Sequence, residues 1–170
     1  MPTDAQRPTF DQWLHEHAGI LHRVASGFAA GADQDDLMQE MLLALWRAVP
    51  AFAGQSKPST FIYRVAHNAA LTWRRGAVTY RRQLERFATE PLPAPDPPRP
   101  GEDEALAAIY AAIRRLPPVD RSLLVLHLDG LGYAAIAEIH GLSENHVGVR
   151  LTRLRQRLTL LLQETTDELR

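Results

Sequence analysis

The sequence contains no cysteine. That excludes disulfides, cysteine-ligated zinc and thiol chemistry. It has no apolar run approaching the ~20 residues of a membrane helix, so no membrane insertion is expected. Residues 1–10, MPTDAQRPTF, lack the basic-then-apolar layout of a secretory leader, which makes the cytoplasm the expected location. Gly-rich phosphate loops, Gly-x-Ser-x-Gly elbows and carboxylate pairs with supporting context are also missing, as is any convincing internal repeat. No motif of catalysis or cofactor binding is therefore evident. What is present is ordinary for a globular chain: 170 residues, 45% hydrophobic and 23% charged, enough for one domain or two small ones.

The net charge of −1 conceals an arrangement. Residues 61–89 and 121–158 are net basic, and residues 90–120 between them are net acidic. Two separated basic surfaces suit a protein that touches a polyanion at two places. Phosphate contacts supply most non-specific affinity, so a near-neutral chain is expected to bind DNA modestly by itself.

Helical periodicity runs through most of the chain, and the expected fold class is all-α. Residues 9–29 read as a first helix, with Thr9 as its cap and Gly31 and Ala32 marking its end. His15, His17 and His22 lie on it. His15 and His17 are two apart and point to different sides, and the spacing is not His-Glu-x-x-His, so surface or partly buried histidines are favoured over a metal site. Residues 33–49 form the second helix, capped by Asp33 and stopped by Pro50. Leu37, Met38, Met41, Leu42, Leu45 and Trp46 are candidate core, while Asp36, Gln39, Glu40 and Leu43 share an outer face. Taken alone, its acids complement the helix dipole and solvate the surface.

After the loop 51–58, Ser59 is expected to cap a third helix reaching Gly76. Phe61, Ile62, Val65, Ala66 and Ala69 can pack inward. Tyr63, Arg64, His67, Asn68, Thr72, Trp73, Arg74 and Arg75 mix aromatic, amide and basic groups. Such groups stack on bases, pair with base edges and track phosphates, although an aromatic core with a basic exposed end gives the same pattern. Residues 90–103 carry half of the twelve prolines and read as a semi-stiff acidic linker. It divides the chain into a first domain, 1–89, and a second, 104–170.

The second domain opens with a helix from Glu104 to Leu116, its buried face drawn from Leu106, Ile109, Ile113 and Leu116. Pro117 and Pro118 end it, and Pro118 can open the next, which reaches Leu128. Residues 130–158 then read as a helix-turn-helix. Ala137 lets two helices pass closely, Gly141 takes a left-handed cap, and Ser143 caps the second helix. Val147, Leu151, Leu154 and Leu158 make one face apolar, and Arg150, Arg153, Arg155 and Arg157 lie on the others. The second helix of such a motif enters the major groove of DNA. An ordinary amphipathic hairpin would also show arginines to water.

Four blocks in order carry a resemblance. They are Asp35-Asp-Leu-Met-Gln-Glu-Met-Leu-Leu-Ala-Leu-Trp46, Ser59-Thr-Phe-Ile-Tyr-Arg-Val-Ala-His-Asn-Ala-Ala70, Arg115-Leu-Pro-Pro118 with Arg121-Ser-Leu-Leu-Val-Leu126, and the helix-turn-helix. Together they resemble the bacterial RNA polymerase sigma factors of the extracytoplasmic-function type. The resemblance implies a promoter-directing subunit whose partners are core RNA polymerase, promoter DNA and, for many members, an anti-sigma factor. It implies that Asp36, Gln39, Glu40, Leu43 and Trp46 form or support the face that docks on the clamp coiled coil of the largest subunit. It implies that the loop Phe52 to Lys57, with Tyr63, Arg64, His67, Asn68, Arg74 and Arg75, holds the melted minus-10 strand. In the family that loop takes a flipped base. It implies minus-35 contacts by Glu144, Asn145, His146, Val149, Arg150 and Arg153, with Arg150 inclined to phosphate or to bracing. The linker would thread the polymerase channel. Two single positions and one segment depart from the family pattern: Phe61 stands for Trp, His67 for Arg, and His146-Val-Gly-Val-Arg150 for Thr-Val-Lys-Ser-Arg. Gly148 costs up to ~1 kcal/mol of helix stability and is expected to let backbone approach DNA. The competing readings are a stand-alone helix-turn-helix regulator with a sensor or dimerisation domain, and a small metal-dependent helical enzyme using the N-terminal histidines.

Overall fold

The computed structural model describes residues 6–87 and 103–168; within these all regular structure is helical, with no strand. Helix α1 spans Arg7–Phe28, α2 Gly31–Ala48 and α3 Pro58–Phe87, with a short 3₁₀ turn at Val49–Ala51. Helices α4 (Glu104–Arg114), α5 (Pro118–Leu128), α6 (Tyr133–His140) and α7 (Glu144–Glu168) follow. The expected linker lies almost wholly outside the described residues.

Several boundaries differ from the sequence expectation. Helix α1 starts two residues before Thr9, because Pro8 presets a helical φ in the first turn, and no side chain caps it. Gly31 does not end α1. Ala29 and Ala30 are extended, and Gly31, at φ 57°, begins α2. Asp33 therefore sits inside the first turn, where its charge meets the positive helix end, rather than capping it. Helix α3 starts at Pro58 rather than after Ser59 and runs straight through Gly76. One glycine costs ~1 kcal/mol, too little to interrupt a helix anchored by packing on two others.

Helix α3 lies against α1 and α2 over a core of Trp13, Ile20, Val24, Leu37, Met41, Leu45, Ile62, Ala66 and Ala70. Trp13, Phe52 and Phe61 close one corner, with ring centroids 5.1 to 5.7 Å apart. Trp46 packs edge-on against Phe10 at 5.1 Å. The same buried cluster continues through Ile113, Leu116, Leu123, Leu124, Leu126, Ile136, Val147 and Leu151. Asp103 caps α4 by accepting from the Ala105 amide at 2.9 Å, and Pro118 is the first residue of α5. Leu106, expected inside, is 48% exposed in the first turn of α4.

The two parts of this core meet along α1, which packs against α4 and α5 as well as α2 and α3. A Cβ placed on Gly27 would come within 2.6 Å of the Val125 side chain, so the absent side chain is what lets α5 approach. Arg121 is buried there. Its Nε donates to the Leu116 carbonyl at 2.7 Å, and its guanidinium lies 5.9 Å from the Phe28 ring centroid. Burial, with Arg74 and Arg114 nearby, lowers its pKa to about 10, so it stays charged at neutral pH. Arg114 donates to the Ser26 carbonyl at 2.8 Å, and Arg23 pairs with Asp129.

Candidate nucleic-acid interface

The helix-turn-helix forms as its residue types dictate. Gly141 adopts φ 66°, ψ 34° and ends α6, and the Leu142 amide donates back to the Ala137 carbonyl at 3.0 Å. Ser143 Oγ accepts from the His146 amide at 3.3 Å, opening α7. Val147, Leu151 and Leu154 are buried, which turns Glu144, Asn145, His146, Val149 and Arg153 outward. Val149 is 48% exposed, an apolar group of the kind that meets a thymine methyl in a major groove.

The arginines of α7 divide by partner. Arg150 Nε donates to Asp120 Oδ1 at 2.6 Å, tying α7 to α5. Arg155 Nη2 lies 2.6 Å from His127 Nε2 and 3.4 Å from the Tyr133 hydroxyl. Arginine only donates, so His127 accepts through Nε2 and carries its proton on Nδ1. Burial and Arg155 lower the His127 pKa accordingly. The sequence held no signal for this triad beyond the arginine itself. Gly148 also differs from expectation. Its nearest neighbour beyond the helix is the Tyr133 ring, 3.3 Å from where a Cβ would sit. The missing side chain makes room for Tyr133 on α6.

On α3, Asn68 and Arg75 are exposed, and Arg64 and Arg74 are half-buried; Lys57 and Phe52 stand on the preceding loop, exposed and half-buried respectively. Tyr63 and His67 are not available on this face as expected. Tyr63 is 4% exposed and belongs to the core, one turn before His67 and Ala66 on the covered side of the helix. His67 is 5% exposed because α6 lies over it: the His67 and His140 ring centroids are 4.4 Å apart. Beside them Arg64 Nη2 donates to Glu138 Oε1 at 2.9 Å. His140 Nε2 lies 3.2 Å from Ser122 Oγ. Burial, reinforced by its neighbour's charge, lowers the His67 pKa to about 4, and burial with Arg150 lowers that of His140 to about 4. Glu138 and His140 are the groups that sequence reasoning missed, since it assigned α6 to the turn motif alone.

On α2, Asp36, Gln39, Glu40 and Leu43 are all exposed, Leu43 at 49%, while Trp46 is half-buried behind them against Phe10. An open cleft of about 1120 Å³ runs between α2 and the second half of α3, with Asp36, Glu40, Asn68, Trp73 and Arg74 in its walls.

The family description Sigma-70 region 2 matches residues 13–80, and Sigma-70, region 4 matches residues 106–158. The extracytoplasmic-function RNA polymerase sigma factor SigM of Mycobacterium tuberculosis is 31% identical over 162 residues, covering 92% of this chain and 78% of the relative. The chain belongs to the extracytoplasmic-function sigma factors. As a sigma factor it directs transcription initiation.

The fold agrees with solved sigma factors. The RpoE chain of the RpoE–NepR complex from Bartonella quintana superposes with a TM-score of 0.71 at 23% identity, over 91% of this chain and 97% of that one. CnrH, solved with the cytosolic domain of CnrY, gives 0.61 at 23% identity, over 93% of this chain and 90% of CnrH. The region 2 match spans α1 to α3 without their outer ends. The region 4 match ends at Leu158, ten residues before α7 does.

Proposed function

We propose that this sigma factor grips polymerase and promoter through three separate faces. The outer face of α2, with Asp36, Gln39, Glu40 and Leu43, docks on the clamp coiled coil of the largest polymerase subunit, and Trp46 supports it from behind. The reading is carried by one outward face on which Asp36, Gln39, Glu40 and Leu43 are exposed together, with Trp46 packed behind them. Arg64, Asn68, Arg74 and Arg75 on α3, with Phe52 and Lys57 on the loop before it, hold the minus-10 strand, and His67 joins them when uncovered.

In the second domain, Glu144, Asn145, His146, Val149 and Arg153 read the minus-35 duplex, and Arg150 braces the domain through Asp120. The factor is non-catalytic and acts in the cytoplasm. RpoE and CnrH have each been solved with an anti-sigma partner, which supports the same kind of partner here. Run-off transcription with core polymerase on a randomised promoter library tests the whole reading. Transcripts that require this chain and share upstream sequence are expected. Failure to co-elute with core polymerase at low salt would overturn it.

A further inference from the structure

The face of α3 that carries Arg64 and His67 is occupied by two side chains of α6 whose chemistry is that of a nucleotide. Arg64 holds a carboxylate oxygen of Glu138 at 2.9 Å, in the way a guanidinium holds a phosphate oxygen. Three residues on, the His140 ring lies against the His67 ring, with centroids 4.4 Å apart and planes tilted by 59°, in space that a base beside His67 would occupy. One face thus offers an anion site and a ring site one helical turn apart, and the second domain fills both.

The histidine pair is poorly served by this arrangement. His67 Nδ1 is buried with no partner, so the contact leaves a ring nitrogen unsatisfied that a base edge or water would satisfy. Arg64 and Glu138 remain partly exposed, at 39% and 52% of their side chains, so their pair is a weak latch rather than a structural bond.

We infer that Arg64 and His67 form a binding site for one nucleotide unit of single-stranded nucleic acid, and that Glu138 and His140 of α6 are its built-in competitor. The inference rests on the strand-holding role proposed for α3 and adds to it which groups take the phosphate and the ring, and what must leave first. Strand binding and the folded-back position of α6 are mutually exclusive.

The test uses the full chain and a fluorescein-labelled pool of randomised 12-nucleotide single strands, read by anisotropy at low salt. Because the chain has no cysteine, His15→Cys with Gln156→Cys gives a dye pair reporting the distance between the halves. Glu138→Gln and His140→Ala, singly and together, are expected to tighten strand binding about 3- to 10-fold, and saturating strand is expected to lengthen the dye distance in the parent chain. Unchanged affinity in both variants overturns the inference, as does strand binding at an unchanged dye distance. Arg64→Ala in the Glu138→Gln background separates the two readings. If it weakens the strand although Glu138→Gln had strengthened nothing, α3 still holds the strand and only the competitor fails. If it has no effect, the strand face itself is wrong.

Discussion

The indole N–H of Trp73 on α3 donates to the Asp36 carboxylate on α2 across 2.8 Å. Asp36 belongs to the face proposed to meet polymerase, and Trp73 stands one turn beyond Asn68 on the helix proposed to meet DNA. One hydrogen bond therefore orients a carboxylate of the proposed docking face from the helix proposed to meet DNA. Asp36 is exposed and Trp73 half-buried, and the bond is worth about 1 kcal/mol. A double-mutant cycle of Asp36→Asn and Trp73→Phe in urea denaturation should return a coupling of about that size. Trp73→Phe should also weaken co-elution with core polymerase, although it removes no proposed polymerase contact.

The His67–His140 contact makes the closed arrangement sensitive to acid. Both groups sit at a pKa of about 4 in the closed form against 6.5 when solvated. Both are therefore lowered by closure, and protons bind the parted form preferentially. The contact is fully favourable above pH 6.5 and is lost progressively as pH falls toward 4. The neighbouring charges are Arg64 with Glu138, and Arg150 with Asp120. At pH 5.5 protonation of the pair should favour the parted form relative to neutral pH. Small-angle scattering from pH 7.5 to 5.5 should show the radius of gyration rising, and His67→Gln with His140→Gln should flatten that rise.

Gly148 and Tyr133 give a prediction whose sign depends on the pair. Gly148→Ala gains up to ~1 kcal/mol of helix stability but must displace the Tyr133 ring from 3.3 Å. Alone it should change stability little. With Tyr133→Ala in place the same change should stabilise by about 1 kcal/mol relative to Tyr133→Ala, measured by thermal unfolding.

Arg150 and Arg153 should separate into stability and recognition. Arg150→Ala breaks the brace to Asp120 and should lower the unfolding midpoint. Arg153→Ala should leave the midpoint in place and weaken binding to the upstream promoter duplex with a shallower salt dependence. Equal effects on both readouts from both variants would contradict the division.

Gly141→Ala tests the turn. At φ 66° an alanine is strained by about 1–2 kcal/mol, so unfolding should occur at lower denaturant with little change in the slope. Circular dichroism in a urea series checks it.

What the sequence made readable was local. The Gly141–Ser143 turn, the Pro118 helix start, the apolar stripe of α7 and the exposed face of α2 each follow from residue types a few positions apart. The helix starts at Arg7 and Pro58 were misjudged because Thr9 and Ser59 offered caps that a neighbouring proline pre-empted. The burial of Tyr63 and His67 was not legible. Periodicity along α3 cannot say that α6, seventy residues later, lies across one side of it. Gly148 was read as facing DNA for the same reason, since the ring above it comes from another helix.

Gly27 packs against the second half of the chain, with Val125 in the space its side chain would have taken. A single added methyl there would act as a wedge, several ångströms of helix away from every group proposed to touch polymerase or promoter. Gly27→Ala is therefore expected to shift the balance between the shielded and accessible forms inferred above without altering a residue proposed to read promoters.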